Sequence, residues 1–243
     1  MFRIEDAYGV LEDKGVVTVP NFLSSQTLAT LQSEARAARH RAYFCTQSHS
    51  VFLTPPDPSL PPSHVRNRQV VSSKGCICDD DVPADSPLRA IYDSDAFREF
   101  VMGVTGETSL YPYADPLSSI NVHYAERGQE LGWHFDNSEF AITLLIAKPS
   151  AGSVFEYVPS LRDSAAGTVD EEAIAALLDG RLEPKRLLIE PGTLVLFRGR
   201  DAIHRVTPNE SDDTRMLAVL AYNSQPGVEL SEDARRTFYG RVN

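Results

Sequence analysis

Cysteine, tryptophan and methionine are scarce in this 243-residue chain, at three, one and three copies. Cys45, Cys76 and Cys78 are odd in number and too few to frame a disulfide-stapled fold, which fits a reducing compartment and predicts a cytoplasmic location. Positive charge is also in short supply: 23 Lys and Arg stand against 34 Asp and Glu, for a net charge of -11. That balance excludes a protein built to neutralise nucleic acid phosphates, so an anionic ligand would have to be met by local positive charge. No apolar run approaches the ~20 residues of a membrane span, and the opening "MFRIEDAYGVLEDKGVVTVP" lacks the basic and long apolar regions of a secretion leader. The expected partner is therefore a small molecule rather than a nucleic acid or a membrane, and nothing in the composition excludes a homodimer.

What is present is an ordinary globular core, at 42% hydrophobic residues. The length suits a single domain over residues 1–243, with residues 1–106 read as a mostly helical part with a Pro-rich loop and residues 107–243 as a β-rich core. In the first part the patterning predicts a short strand at Val16–Val19. A cap at Ser24 or Ser25 then leads a helix from about Gln26 to Tyr43, with Leu28, Leu31 and Ala35 on one stripe. The stretch "LTPPDPSLPPSHVRNRQVVSSKGCICDDDVPADSP", rich in Pro, Ser and Asp, reads as an extended loop. A helix pair follows, capped by Ser86 and by Ser94 or Asp95 and ended by Gly103 or Gly106.

Beyond that point the period changes. "SSINVHYAE", "FAITLLIA", "SVFEYVP", "RLLIEP", "GTLVLFRG", "AIHRVTP" and "RMLAVLAYN" are short β-rich runs between turn residues, interrupted by one helix at Asp170–Leu178. Many short strands with few helices between them imply a sandwich, a barrel or a jelly roll.

Of the six histidines, His134 alone has a carboxylate two positions on, in "GWHFDNSEFAITLL". Residues two apart on a strand share a face, so His134 and Asp136 converge while Trp133 and Phe135 point away. His204, in a late strand after "PGTLVLF", supplies a second imidazole. Two imidazoles and one carboxylate on one side of a metal suit non-haem Fe(II), whose remaining positions must admit a chelating co-substrate and dioxygen. Arg215 follows across the polar turn "PNESDD", which reverses the chain and returns a guanidinium to the same end, where it can grip a carboxylate with two parallel hydrogen bonds. A rival zinc site can be drawn from His64, Cys76, Cys78 and His123, since "GCIC" offers paired thiols.

The set "WHFDN", "PGTLVLFRGRDAIHRVTP" and the later Arg215 resembles the Fe(II)- and 2-oxoglutarate-dependent oxygenases. More finely, "YADPLSSINVHYAERGQELGWHFDNSEFAITLLI", "FEYVPSLR", "LAVLAYNSQPG" and the terminal "FYGR" resemble the subgroup of free amino-acid hydroxylases, free-lysine halogenases and an aziridine-forming valine oxidase, over residues 85 to 241. The resemblance implies a mainly β fold with flanking helices and a double-stranded β-helix core, jelly roll or cupin-like. It carries the iron ligands to His134, Asp136 and His204 and the 2-oxoglutarate arginine to Arg215. Halogenating relatives replace the carboxylate ligand by glycine, whereas this chain keeps Asp136. Hydroxylation of an unactivated C–H bond is therefore expected, with desaturation or ring closure by the same iron chemistry, or a non-catalytic ligand-binding module, as alternatives.

The leading substrate class is a free amino acid or a derivative, although Val219 and Ala221 are apolar where lysine-using relatives are polar. For further co-substrate contacts the resemblance and the strand pattern offer Tyr124, Thr143 and Asn121. For substrate they offer Arg66 and Arg68 of the Pro-rich loop, and Phe238 and Tyr239 at the end of the chain.

Overall fold

A computed structural model describes residues 4–243; the first three residues of the stretch read for a leader lie outside it. The helices are α1 (Ile4–Lys14), α2 (Ser25–Ala38), α3 (Pro87–Tyr92), α4 (Asp95–Thr105), α5 (Glu171–Leu178) and α6 (Glu232–Tyr239). The strands are β1 (Val16–Val19), β2 (Tyr43–Ser50), β3 (Gln69–Ile77), β4 (Ile120–Ala125), β5 (Leu131–His134), β6 (Ala141–Ala147), β7 (Phe155–Val158), β8 (Arg162–Asp163), β9 (Thr168–Val169), β10 (Lys185–Leu187), β11 (Leu194–Phe197), β12 (Ile203–Val206) and β13 (Arg215–Leu220). No described helix is long and apolar enough to cross a membrane.

Two antiparallel sheets make the jelly roll. The larger runs β1-β11-β6-β13-β4-β3-β2 and the smaller β10-β7-β12-β5. Alternation along the strands sorts the side chains. On β6, Ile142, Leu144 and Ile146 face outward into a core shared with Leu11 of α1, Leu31 of α2 and Val101 of α4, all fully or nearly fully buried. Thr143 and Leu145, between them, face the other sheet. At one end of the interior Val195 and Phe197 of the large sheet meet Tyr157 of the small one in a separate apolar cluster. The outer face of the small sheet is covered by α5 and by residues 51–65, packed on Trp133, Phe135 and Ile203. Trp133 and Phe135 thus lie behind the metal ligands, as the strand alternation requires.

The helix ends follow local chemistry. Ser24 Oγ accepts from Thr27 N–H and Ser94 Oγ from Phe97 N–H, and Gly106 closes α4 with φ of 79°, which a side chain would strain. The structure departs from the sequence-based reading in three places. Helix α1 was not expected; Ala7 and Leu11, four apart, are its buried stripe. Helix α2 ends at Ala38 and continues only as one tighter turn, Arg39–Arg41, because the chain must then extend to pair β2 with β3.

The Pro-rich loop is real up to about residue 68, but its second half is β3, paired to β2 and β4. Both strands escape a hydrophobicity pattern because their inward faces are polar: Cys45, Gln47 and His49 on β2, Ser72, Lys74 and Cys76 on β3. Residues 1–106 therefore contribute three of the seven strands of the large sheet, and the roll begins at β1 rather than at residue 107.

Candidate metal centre

His134 is the last residue of β5 and His204 the second of β12, and the two are directly opposed across the ladder. Their ring centroids lie 4.2 Å apart. Asp136 stands just past the end of β5, still extended, with its N–H donating to Gly199 O at 2.9 Å. Asp136 Oδ1 lies 3.5 Å from His134 Nε2 and 3.6 Å from His204 Nε2. Among the described residues these three form the one group of His, Cys, Asp or Glu side chains whose ligand atoms converge, all within 4.8 Å of one another.

The outer hydrogen bonds set the tautomers. His134 Nδ1 is 2.8 Å from Gly132 O and His204 Nδ1 is 3.0 Å from Ala202 O. A carbonyl only accepts, so each Nδ1 carries the proton and each Nε2 keeps its lone pair toward the common point. Burial, reinforced by His134, pushes His204 down to about 4, so it is neutral and ready to ligate at neutral pH. Burial would raise Asp136, but the two imidazoles outweigh it and hold the carboxyl at about 2. The donor set, two neutral imidazoles and one carboxylate on one side, fits a metal such as Fe(II) with open positions opposite.

Two backbone features seat Asp136. A Cβ on Gly199 would fall 1.8 Å from Asp136 Oδ2, so glycine is needed there for the carboxylate to fit. On the other side Arg162 Nη2 donates to Asp136 O at 3.0 Å, with its guanidinium 4.4 Å from the centroid of the Phe135 ring. Arg200 Nη2 donates to the next carbonyl, Asn137 O, at 2.8 Å. Sequence reasoning missed all three residues. Their surroundings in sequence offer little clue: Arg162 opens the two-residue strand β8 after "PSL", and Arg200 sits in the turn of "FRGRD".

Arg215 opens β13 opposite Ala125 of β4. The reversal before it is pinned by Asn209, 1% exposed, whose Nδ2 donates to Ala125 O and Asp213 O. Arg215 itself is 8% exposed, and burial lowers it to about 10 with no carboxylate opposing the shift. An enclosed guanidinium without a counter-ion among the described residues is a ready site for an anion.

The remaining candidates divide. Thr143 lies on the inner face between Val195 and Val219. Tyr124 does not: it is 0% exposed on the helix side and its hydroxyl donates to Ala35 O of α2, so it is a packing residue rather than a co-substrate contact. Asn121 faces inward, but its Nδ2 donates to Leu117 O and Ile120 O and its Oδ1 accepts from the Tyr239 hydroxyl at 3.0 Å. It anchors α6 instead of reaching a ligand. Tyr239 and Phe238 close that end of the interior over Cys76 and Cys78.

Arg66 and Arg68 are turned away from the interior, paired with Glu171 of α5 and with Asp179 just past its end at 2.6 and 2.7 Å. The zinc site fails as well, because His64 pairs with Glu171 at 3.6 Å while Cys76 and Cys78 lie under α6.

Two interior residues, His49 and Lys74, were not singled out from sequence. His49 lies edge-on to His134, its Nδ1 donating to Ser50 O and its Nε2 accepting from Ser72 Oγ at 2.7 Å. Lys74 Nζ lies 3.2 Å from both ring nitrogens of His123. Had β3 been legible, Lys74 and Cys76 would have fallen on one face with His123.

The model of one family, Halogenase D, matches residues 3–237. The chain belongs to the halogenase D family. No curated protein sequence matches it. Among solved structures it is similar to a 2OG-Fe(II) oxygenase from Burkholderia pseudomallei, at TM-score 0.60 and 13% identity over 94% of each chain. It is also similar to the carbocyclase SnoK from nogalamycin biosynthesis, at TM-score 0.63 and 14% identity, covering 95% of this chain and 89% of that one. HygX from Streptomyces hygroscopicus, solved with nickel, 2-oxoglutarate and hygromycin B, aligns at TM-score 0.58 and 16% identity over 100% and 98% of the two chains. At these identities the likeness is one of fold. This halogenase D family member thus has the jelly roll of the iron- and 2-oxoglutarate-dependent oxygenases, and its His134, Asp136 and His204 fit the metal of such an enzyme.

Proposed function

We propose that the chain is an Fe(II)- and 2-oxoglutarate-dependent oxygenase that hydroxylates an unactivated C–H bond of a small molecule, foremost a free amino acid or a close derivative. The observation that carries hydroxylation over halogenation is Asp136. It supplies the carboxylate ligand that halogenating relatives lack, and Gly199 leaves the room that carboxylate occupies. With Asp136 in place no coordination site is vacated for chloride.

The rest of the site supports the same reading. Bound iron would supply the oxidation of C–H by dioxygen, with 2-oxoglutarate consumed to succinate and carbon dioxide and one oxygen atom entering the substrate. The protein's share is position and enclosure. Arg215 pairs with the far carboxylate of 2-oxoglutarate, Thr143 lies on the same inner face, and Tyr239 and Phe238 cap the end of the interior. A silent ligand-binding module would not need three converging, tautomer-set ligands and, in the same roll, a buried guanidinium without a counter-ion among the described residues.

Anaerobic titration of Fe(II) and 2-oxoglutarate into the protein, read by the weak visible charge-transfer band of the chelate, tests the oxygenase. No band with the wild type sinks it. A screen of amino acids for succinate formation with a mass gain of one oxygen then tests hydroxylation. A chlorinated product in the presence of chloride would overturn it.

A further inference from the structure

The inner face of the large sheet carries two cations, the buried Arg215 and the part-buried Lys74, and the oxygenase reading employs only Arg215. The second is Lys74. It shares a face with Cys76, which pairs with His123 of β4 in the ladder, and its Nζ comes within 3.2 Å of both His123 ring nitrogens. Burial lowers Lys74, with Cys76, Cys45 and Asp136 acting in the opposite direction. Asp136 is the one carboxylate among the described residues that acts on Lys74, and none acts on His123 or Arg215. Among the described residues Lys74 has no carboxylate in hydrogen-bonding contact.

From this geometry we infer that Lys74 and His123 form the subsite for an anionic group of the substrate, a carboxylate foremost, and that the substrate brings no second positive charge into the interior. The inference rests on the oxygenase reading and deepens it. An ammonium enclosed beside a neutral imidazole is unfavourable until an anion completes it. Lys74 has three N–H donors and no carboxylate partner among the described residues, so donors remain to hold a carboxylate. Burial and the two neighbouring cations keep His123 neutral, so it does not repel Lys74.

The co-substrate does not need Lys74. One end of 2-oxoglutarate chelates the metal and the other pairs with Arg215, which leaves Lys74 for substrate. The inverse holds for a basic side chain. Among the described residues the one carboxylate that acts on Lys74 is Asp136, which is a metal ligand, and Val219 presents an apolar surface opposite Asn121 and Thr143. Lysine, ornithine or arginine would place a second ammonium or guanidinium beside Lys74 and Arg215 with no acid to receive it. Acidic and neutral amino acids, or their N-acylated derivatives, match the charge of the pocket.

The test uses wild type, Lys74→Met and Lys74→Glu, each loaded with Fe(II). The charge-transfer band gives 2-oxoglutarate affinity under anaerobic conditions, and succinate release with a panel of acidic, neutral, N-acylated and basic amino acids gives substrate preference. The expected outcome has three parts. Wild type turns over acidic or neutral members and not basic ones. Lys74→Met raises KM for that substrate by roughly tenfold or more, with a smaller change in kcat and less than about a twofold change in 2-oxoglutarate affinity. Lys74→Glu loses the acidic substrates.

Preference of the wild type for lysine, ornithine or arginine overturns the inference. So does an unchanged KM in Lys74→Met, or a loss of 2-oxoglutarate affinity in that variant like the loss expected for Arg215→Met. A normal band with no succinate triggered by any panel member also overturns it while the oxygenase reading stands. Absence of the band in the wild type defeats the oxygenase reading instead.

Discussion

Gly199 and Asp136 occupy each other's space: a methyl group at position 199 would sit 1.8 Å from Asp136 Oδ2, while Gly199 O accepts the Asp136 N–H at 2.9 Å. The carboxylate ligand is thus placed by a residue that lies 63 positions away in the chain and has no side chain of its own.

Gly199→Ala should therefore displace the carboxylate without touching either histidine. The expected result is a loss of at least about tenfold in metal affinity, of the size seen when groups that orient a ligand are removed, with far-ultraviolet circular dichroism unchanged. Mn(II) titration followed by electron paramagnetic resonance measures it. Full metal affinity in Gly199→Ala would show that the carboxylate is placed by something else.

Arg162 holds the same ligand through its main chain, donating to Asp136 O and covering the Phe135 ring. Arg162→Met should weaken metal binding by about 10-fold to 100-fold. In a background already carrying Asp136→Gly it should cost nothing further, because the carboxylate it orients is gone. An equal loss of affinity in both backgrounds would assign Arg162 a general structural role.

Arg215 is an enclosed cation whose ordinary value is lowered to about 10 by burial. Arg215→Met should weaken 2-oxoglutarate by roughly 2 kcal/mol or more, about 30-fold, because the co-substrate's far carboxylate loses its charged partner. The apoprotein should hold or gain thermal stability, since a desolvated charge without a counter-ion is removed. The charge-transfer titration and a calorimetric scan without ligand read the two effects separately.

His123 has its pKa lowered well below 6.5, first by burial and then by Lys74 and Arg215. The folded state therefore binds this proton less readily than the unfolded chain. The stability His123 contributes is complete above pH 6.5 and is lost as pH falls through that value toward the folded pKa, at up to about 1.4 kcal/mol per pH unit. Urea midpoints of the metal-free protein at pH 7.5, 6.0 and 5.0 should fall more steeply for wild type than for His123→Asn. Parallel curves would show that His123 protonates freely in the folded protein.

Much of this was legible in the linear pattern. The Ser caps, the β-rich runs after residue 107 and the shared face of His134 and Asp136 all depend on neighbours one to four residues apart, where propensity and strand alternation operate. Strands β2 and β3 were hidden for the opposite reason. Their inward faces line a polar interior and carry Gln47, His49, Ser72 and Lys74, so the hydrophobic alternation that marks a half-buried strand is missing. Tyr124 and Asn121 were misjudged because their partners, Ala35 O and the Tyr239 hydroxyl, lie 89 and 118 positions away.

By itself the sequence determined the ligand set, the order in which His134, Asp136, His204 and Arg215 arrive, and the presence of a carboxylate where halogenating relatives have glycine. Those are statements about residue identity and order along the chain, and about what the resemblance implies. The tertiary structure alone decided that Gly199 makes room for Asp136, that Arg66 and Arg68 are committed to α5, and that Lys74 stands inside the barrel beside His123. Each of these depends on which strands and loops meet across the roll, and such pairings are set by packing between distant segments rather than by local pattern.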